Sequence, residues 1–153
     1  MTPSKDIEEC IELFLSKGVE FLLVGGYALA AHGAPRFTED IDFLIRISGE
    51  NAKKVSEAMR EFGFPPSELG ADDFLKTEQV IQLGRPPNRI DILTSIDGVS
   101  WEEAWASRIQ ISLGTKRCWA IGLEPLIQNK KASGRPQDLA DVARLEMARS
   151  PKK

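Results

Sequence analysis

Apolar positions along the chain change spacing several times, and each change marks an element. Ile7, Cys10, Ile11, Phe14 and Leu15 recur at three- and four-residue steps, which predicts an inward-facing helix over 4–17 ended by Gly18. The unbroken run EFLLVG (20–25) reads as a buried strand. Gly25 and Gly26 then turn the chain into a short helix, YALAAH, which Gly33 and Pro35 stop. DIDFLIRI (40–47) is a second strand. GENAKKVSEAMREFG (49–63) is an amphipathic helix with Val55, Ala58, Met59 and Phe62 inward, and PPSELGADD is a loop. EQVIQLGR and NRIDILTS predict a hairpin turning at Pro86, Pro87 and Asn88. SWEEAWAS (100–107) predicts a helix with Ser100 as N-cap and Glu103 closing a capping box. RIQISL and KRCWAI flank Gly114-Thr115 as a second hairpin. LEPLIQNKKAS and RPQDLADVARLEMAR are two closing helices separated by Gly134. Mixed strands flanked by helices predict an α+β or α/β fold around one mixed sheet.

Length and composition narrow this picture. The 153 residues suit a single domain, 1–153, with one core. No apolar run nears the roughly 20 residues that span a bilayer, and MTPSKDIEEC lacks a signal core, so a cytoplasmic protein with no membrane partner is expected. Cys10 and Cys118 then read as buried, reduced thiols without metal-ligand spacing. The net charge of −3 is uneven: from Gln128 to Lys153, seven Lys/Arg face three Asp/Glu. An acidic body with a basic C-terminal segment argues against a general nucleic-acid coat, and allows either a local anion site or a solvated helix face.

The candidate chemistry lies where charge interrupts apolar strands. Residues two apart in a strand share a face, so Asp40 and Asp42 point the same way while Ile41 and Phe43 enter the core. Two such carboxylates repel, and burying either unpaired is costly. A divalent cation removes the conflict, and hard oxygen ligands suit Mg²⁺ or Mn²⁺. Asp91, in RIDIL, is again an acid within an apolar strand. If that strand lies beside the first, three carboxylates converge, and such a set can hold two metals about 3.5–4 Å apart for in-line phosphoryl or nucleotidyl transfer. The small Gly25-Gly26 turn lets backbone amides approach an anion such as a triphosphate.

VGGYALAAHGAPRFTEDIDFLI resembles the signature of the DNA polymerase beta-like nucleotidyltransferase superfamily: an apolar residue, a glycine pair or Gly-Ser, a spacer, then Asp-apolar-Asp-apolar. Val24, Gly25, Gly26, Asp40, Ile41, Asp42 and Phe43 fit it across a spacer of 13 residues, and Asp91 fits the third acid. The tail EPLIQNKKASGRPQDLADVARL resembles small bacterial proteins related to the abortive-infection type II toxin nucleotidyltransferases, through Lys130, Arg135, Asp138 and Asp141. The resemblance covers residues 20–145. It implies a nucleotidyltransferase-like mixed β-sheet flanked by α-helices. It implies that Asp40 and Asp42 hold both metals and that Asp91 holds the catalytic metal and helps activate the acceptor hydroxyl. Gly25 and Gly26 would cradle phosphates, and Lys130 would contact a phosphate or the base. The reaction implied moves NMP from an NTP to a hydroxyl on RNA, protein or a small molecule, as the toxin-like component of a defence or toxin–antitoxin system with a cognate antitoxin or partner protein. The alternatives are a catalytically silent nucleotide-binding antitoxin or regulatory partner, and a metal-dependent phosphohydrolase.

Two departures stand out. Gly26 replaces the serine common at that place, leaving only backbone donors there, and a short chain without a large extra domain implies an acceptor that is small or bound on an open surface. Arg36 and Thr38 are candidate phosphate or acceptor contacts, although an ion pair of Arg36 with Glu39 or Asp40 explains it equally. Tyr27 could stack on a base or pack in the core. His32 reads as a helix-end residue. Lys130 and Lys131 could be solvated helix charges. Asp138 and Asp141, three apart on one helix face, could position Lys130 or Arg135 by ion pairing. Trp101, Trp105 and Trp119 read as core or interface aromatics.

Overall fold

The structure, a computed structural model, describes residues 4–86 and 88–149. Helix α1 (Lys5–Lys17) begins where the Ser4 hydroxyl accepts the Ile7 amide and ends where Gly18 turns left-handed at φ 73°. Strand β1 (Phe21–Val24) runs into a two-turn helix, α2 (Gly25–Ala31), followed by β2 (Asp40–Ile45) and the Ser48-capped α3 (Gly49–Phe62). The hairpin β3 (Val80–Leu83) and β4 (Arg89–Leu93) comes next. Then follow α4 (Trp101–Ala106), the hairpin β5 (Ile109–Leu113) and β6 (Lys116–Ala120), and helices α5 (Leu123–Ser133) and α6 (Pro136–Arg149). Ser100 and Glu103 form the expected reciprocal cap of α4.

Two expectations change. The PPSELGADD segment is not wholly a loop: Ala71–Phe74 winds into a 3₁₀ turn, the Gly70 amide donates to Asp73 at 2.9 Å, and Phe74 is pulled into the core. Leu15 is exposed, because it lies one residue past the buried Phe14 and so a quarter-turn off the apolar stripe. The expected turn at Pro86, Pro87 and Asn88 joins an antiparallel pair, with Pro87 outside the described residues.

The six strands form one mixed sheet in the order β3-β4-β2-β1-β6-β5. Strand β2 pairs antiparallel with β1 and parallel with β4, and β1 pairs parallel with β6. This is the mixed sheet with flanking helices, of the α+β class, that the apolar pattern predicts. One face carries Leu23, Ile41, Phe43, Ile45, Ile90 and Ile92 beneath α1 and α3. There Phe14, Phe21 and Phe43 meet edge to face, with ring centroids 5.1–5.6 Å apart. The other face carries Leu22, Val24 and Leu44 beneath α2, α4, α5 and α6. With both faces covered, all of β1 is buried. Strand β2 differs: its second face is apolar at Leu44 but polar at Asp42 and Asp40, so that face opens towards the start of the strand. Among the described residues no helix is long and apolar enough to cross a membrane. Cys10 and Cys118 are buried and unbonded to each other, and burial pushes their thiols up to about 12 and about 11.

Phe14 anchors the aromatic cluster on the sheet face opposite Asp40 and Asp42, so Phe14→Ala should lower unfolding free energy by about 3–5 kcal/mol in urea melts. A loss below about 1 kcal/mol would mean that the three rings do not hold this face together.

Candidate active site

The parallel register of β2 and β4 decides the site. Asp40 lies opposite Arg89, and Asp42 lies opposite Asp91. Directly paired residues share a face, so the three acids and Arg89 project together. One oxygen from each of Asp40, Asp42 and Asp91 falls within 4.8 Å of the others. Asp91 is buried, and the other two are half-buried. The expected convergence is therefore present.

One cation relieves part of the repulsion. The Arg89 guanidinium, which sequence reading did not single out, forks onto Asp91 at 2.9 and 3.1 Å and also pairs with Asp40. Its hydrogen bonds to Asp91 hold its own charge still more firmly. Asp42 has no such partner among the described residues. Burial, then the charges of Asp40 and Asp91 and a hydrogen bond with Asp91, raise its carboxyl from 3.8 to about 7, against a smaller opposing pull from Lys130. Clustered hard oxygen donors and one carboxylate short of positive charge fit a divalent cation. Asp40, Asp42 and Asp91 are the residues that could hold it.

The glycine turn is tied to the same spot. Gly25 has φ +70°, and a Cβ there would be driven into the Asp42 carboxylate, so only glycine fits. At Gly26 a Cβ would lie 3.0 Å from the Thr38 Cβ and 3.1 Å from its hydroxyl. Thr38 thus occupies the space a serine side chain would need, and it brings a hydroxyl beside the turn, where the sequence promised only backbone donors. That hydroxyl bonds Asp40 through both its carboxylate and its carbonyl, each at 3.0 Å.

Helices α5 and α6 close the other side. Lys130 is buried and pairs with Asp141 at 3.0 Å and Asp138 at 3.4 Å. Arg135 pairs with Asp138 at 2.7 Å. Burial works to raise the Asp138 carboxyl, but Arg135 and Lys130 outweigh it and hold it low. Lys130 is therefore neither a solvated charge nor free. Asp138 and Asp141 hold it by ion pairing from their shared helix face. Arg36 pairs with Asp141 at 2.9 Å, not with Glu39 or Asp40, because the segment before β2 lies against α6. A cavity of about 890 Å³ opens over these groups, with Gly25, Thr38, Arg89, Asp97, Lys130 and Arg135 among its walls.

Of the remaining candidates, Tyr27 has its phenol raised by burial and then by the charge of nearby Asp40. Tyr27 packs partly buried against the first core. His32 follows α2 and donates Nε2–H to the Ile121 carbonyl at 2.8 Å, tying that helix to the end of β6. Trp101 and Trp105 stack at 5.2 Å over the second core, and Arg108 lies between the rings of Trp105 and Trp119.

A family model described as the nucleotidyl transferase AbiEii toxin of a type IV TA system matches residues 14–130. A Thermotoga maritima protein proposed to be a nucleotidyltransferase shares the fold at 15% identity and a TM-score of 0.58, over 94% of this chain and 91% of that one. An antigenic nucleotidyltransferase-like protein from Paracoccidioides brasiliensis does so at 18% identity and 0.55, over 100% of this chain and 81% of that one. No curated protein matches the chain.

The Asp42 shift sets a pH dependence. Its carboxyl binds a proton more tightly folded than unfolded, so its contribution is full below the unfolded value of 3.8 and is lost as pH rises through about 7. In metal-free buffer the urea midpoint of the native protein should fall, relative to Asp42→Asn, between about pH 4 and pH 7. A gap that stays constant across that range would contradict the assignment.

Proposed function

The chain belongs to the AbiEii nucleotidyltransferase toxin family, and from that premise we propose that it moves NMP from an NTP to a hydroxyl acceptor in a reaction dependent on Mg²⁺ or Mn²⁺. The observation that carries this reading is the meeting of Asp40, Asp42 and Asp91 beside the Gly25-Gly26 turn, under a cavity that also holds Lys130, Arg36 and Arg135. Asp40, Asp42 and Asp91 would hold the ion, which supplies charge neutralisation and polarises phosphoryl oxygens.

The chain's own groups do the rest. Backbone amides at Gly25 and Gly26, with the Thr38 hydroxyl, face the phosphates. Lys130 and Arg36 are held by Asp141 at fixed places and offer positive charge to the same anion. Fixing these cations before substrate arrives spares reorganisation during the reaction. The acceptor oxygen forms a bond to the α-phosphorus as the bond to the β-phosphate bridging oxygen breaks. Pyrophosphate leaves, and the Asp91 carboxylate takes the acceptor's proton. The roughly in-line geometry that this requires is a matter of positioning rather than of covalent chemistry by the protein. The acceptor is a hydroxyl of RNA, protein or a small molecule. The family's toxin–antitoxin description supports a cognate antitoxin as the protein partner.

Incubation with each α-labelled NTP, Mg²⁺ and cell extract should yield a labelled acceptor, and Asp42→Asn should cut labelling by at least about 10²-fold. NTP binding with no labelled product would instead favour a silent regulatory partner, and phosphate or NMP released without acceptor would favour a hydrolase. Asp141→Asn leaves the three acids intact but loosens Lys130 and Arg36, and should cost about 10–100-fold in the same assay.

A further inference from the structure

Resting on the metal-dependent reading above, we propose that Arg89 is an exchangeable counter-cation: it occupies the acids while the ion is absent and is displaced when the ion and nucleotide load together. The geometry of the carboxylate oxygens carries this. Both oxygens of Asp91 receive Arg89, at 2.9 and 3.1 Å. One oxygen of Asp40 receives Arg89, and the other receives Thr38 at 3.0 Å. Asp42 alone lacks a cationic partner among the described residues. An ion bound by all three acids must therefore take oxygens that the guanidinium already holds.

A guanidinium and a divalent ion on the same carboxylates repel at contact range. Titration offers Arg89 no way out, since an arginine stays charged in proteins. Its remaining route is to move. Arg89 starts β4 at the sheet's open end, its side chain is 28% exposed, and it lines the same cavity as Lys130 and Arg135. A displaced guanidinium there faces the polyphosphate, which offers the negative charge it has given up. Nucleotide thus draws Arg89 off the acids, and the ion fills them. Binding of either ligand favours the other, and this coupling is reciprocal. The protein without nucleotide holds metal weakly, so ion loading waits for the substrate.

The test is Mn²⁺ titration followed by the EPR signal of the free ion, with and without a non-hydrolysable NTP analogue. Without the analogue, Arg89→Ala should bind Mn²⁺ about tenfold more tightly than the native protein, and the analogue should tighten native binding much more than it tightens the variant's. Arg89→Lys, which keeps the charge but not the fork, should fall between. Should Arg89→Ala misfold, the native protein still decides: the Arg89 Nε–H resonance, sheltered by Asp91, should shift and exchange faster once Mg²⁺ and the analogue are added together. Unchanged Mn²⁺ affinity in a folded Arg89→Ala, or an unmoved Nε–H signal in the loaded native protein, overturns the exchange and leaves the enzyme proposal standing. Absence of Mn²⁺ binding in every protein, with or without analogue, overturns both.

Discussion

Like charge crowded onto one sheet face governs this molecule. The β2–β4 register sets Asp42 against Asp91 with Asp40 two residues away, and much of the surrounding structure answers that repulsion. Gly25 is glycine because the Asp42 carboxylate fills the place of a side chain. Arg89 stands on the same face because its guanidinium can neutralise two of the three acids at once. Asp42 is left without a cation of its own, and burial and its acidic neighbours push its carboxyl up to about 7. A fold selected for stability alone would have placed apolar residues here, as it does at Leu44 on the same strand face.

The same logic extends to the C-terminal helices. Lys130, Asp138 and Asp141 are buried ionic groups, and such groups rarely add net stability over apolar replacements. Their effect is geometric. Asp141 holds Lys130 and Arg36 together, which binds the segment before β2 to α6 and lines one cavity with fixed positive charge. That charge complements the acids across the cavity, an arrangement suited to an anion bridged to the carboxylates by a metal ion. The net basic charge of the C-terminal segment is thus partly built into the site.

Much of this was legible from residue order. Apolar spacing marked α1 and α3, an unbroken apolar run marked β1, and turn and cap residues marked α2 and α4. The acid pair was readable because polar residues at period two inside an apolar run must share a face, and Asp91 because the same interruption recurs. Arg89 escaped notice although it precedes Asp91 by only two residues: its pairing with Asp40 depends on a parallel register that no local pattern encodes. The alternative pairing of Arg36 with Glu39 or Asp40 fails for the same reason, its partner Asp141 being 105 residues away. The exchange of roles between Gly26 and Thr38 is likewise a three-dimensional fact, a matter of who fills the space beside the turn. The 3₁₀ turn at Ala71–Phe74 was missed because four residues are too few to show a period.

The central claim is that these three carboxylates together form a cation site beside a phosphate cradle. Anomalous scattering from a crystal grown with Mn²⁺ and a non-hydrolysable NTP analogue tests it most directly. The account predicts Mn²⁺ peaks ligated by Asp40, Asp42 and Asp91, with phosphate oxygens reaching the Gly25-Gly26 turn. Nucleotide bound in this cavity with no Mn²⁺ on the three acids, or Mn²⁺ bound only elsewhere, would contradict it.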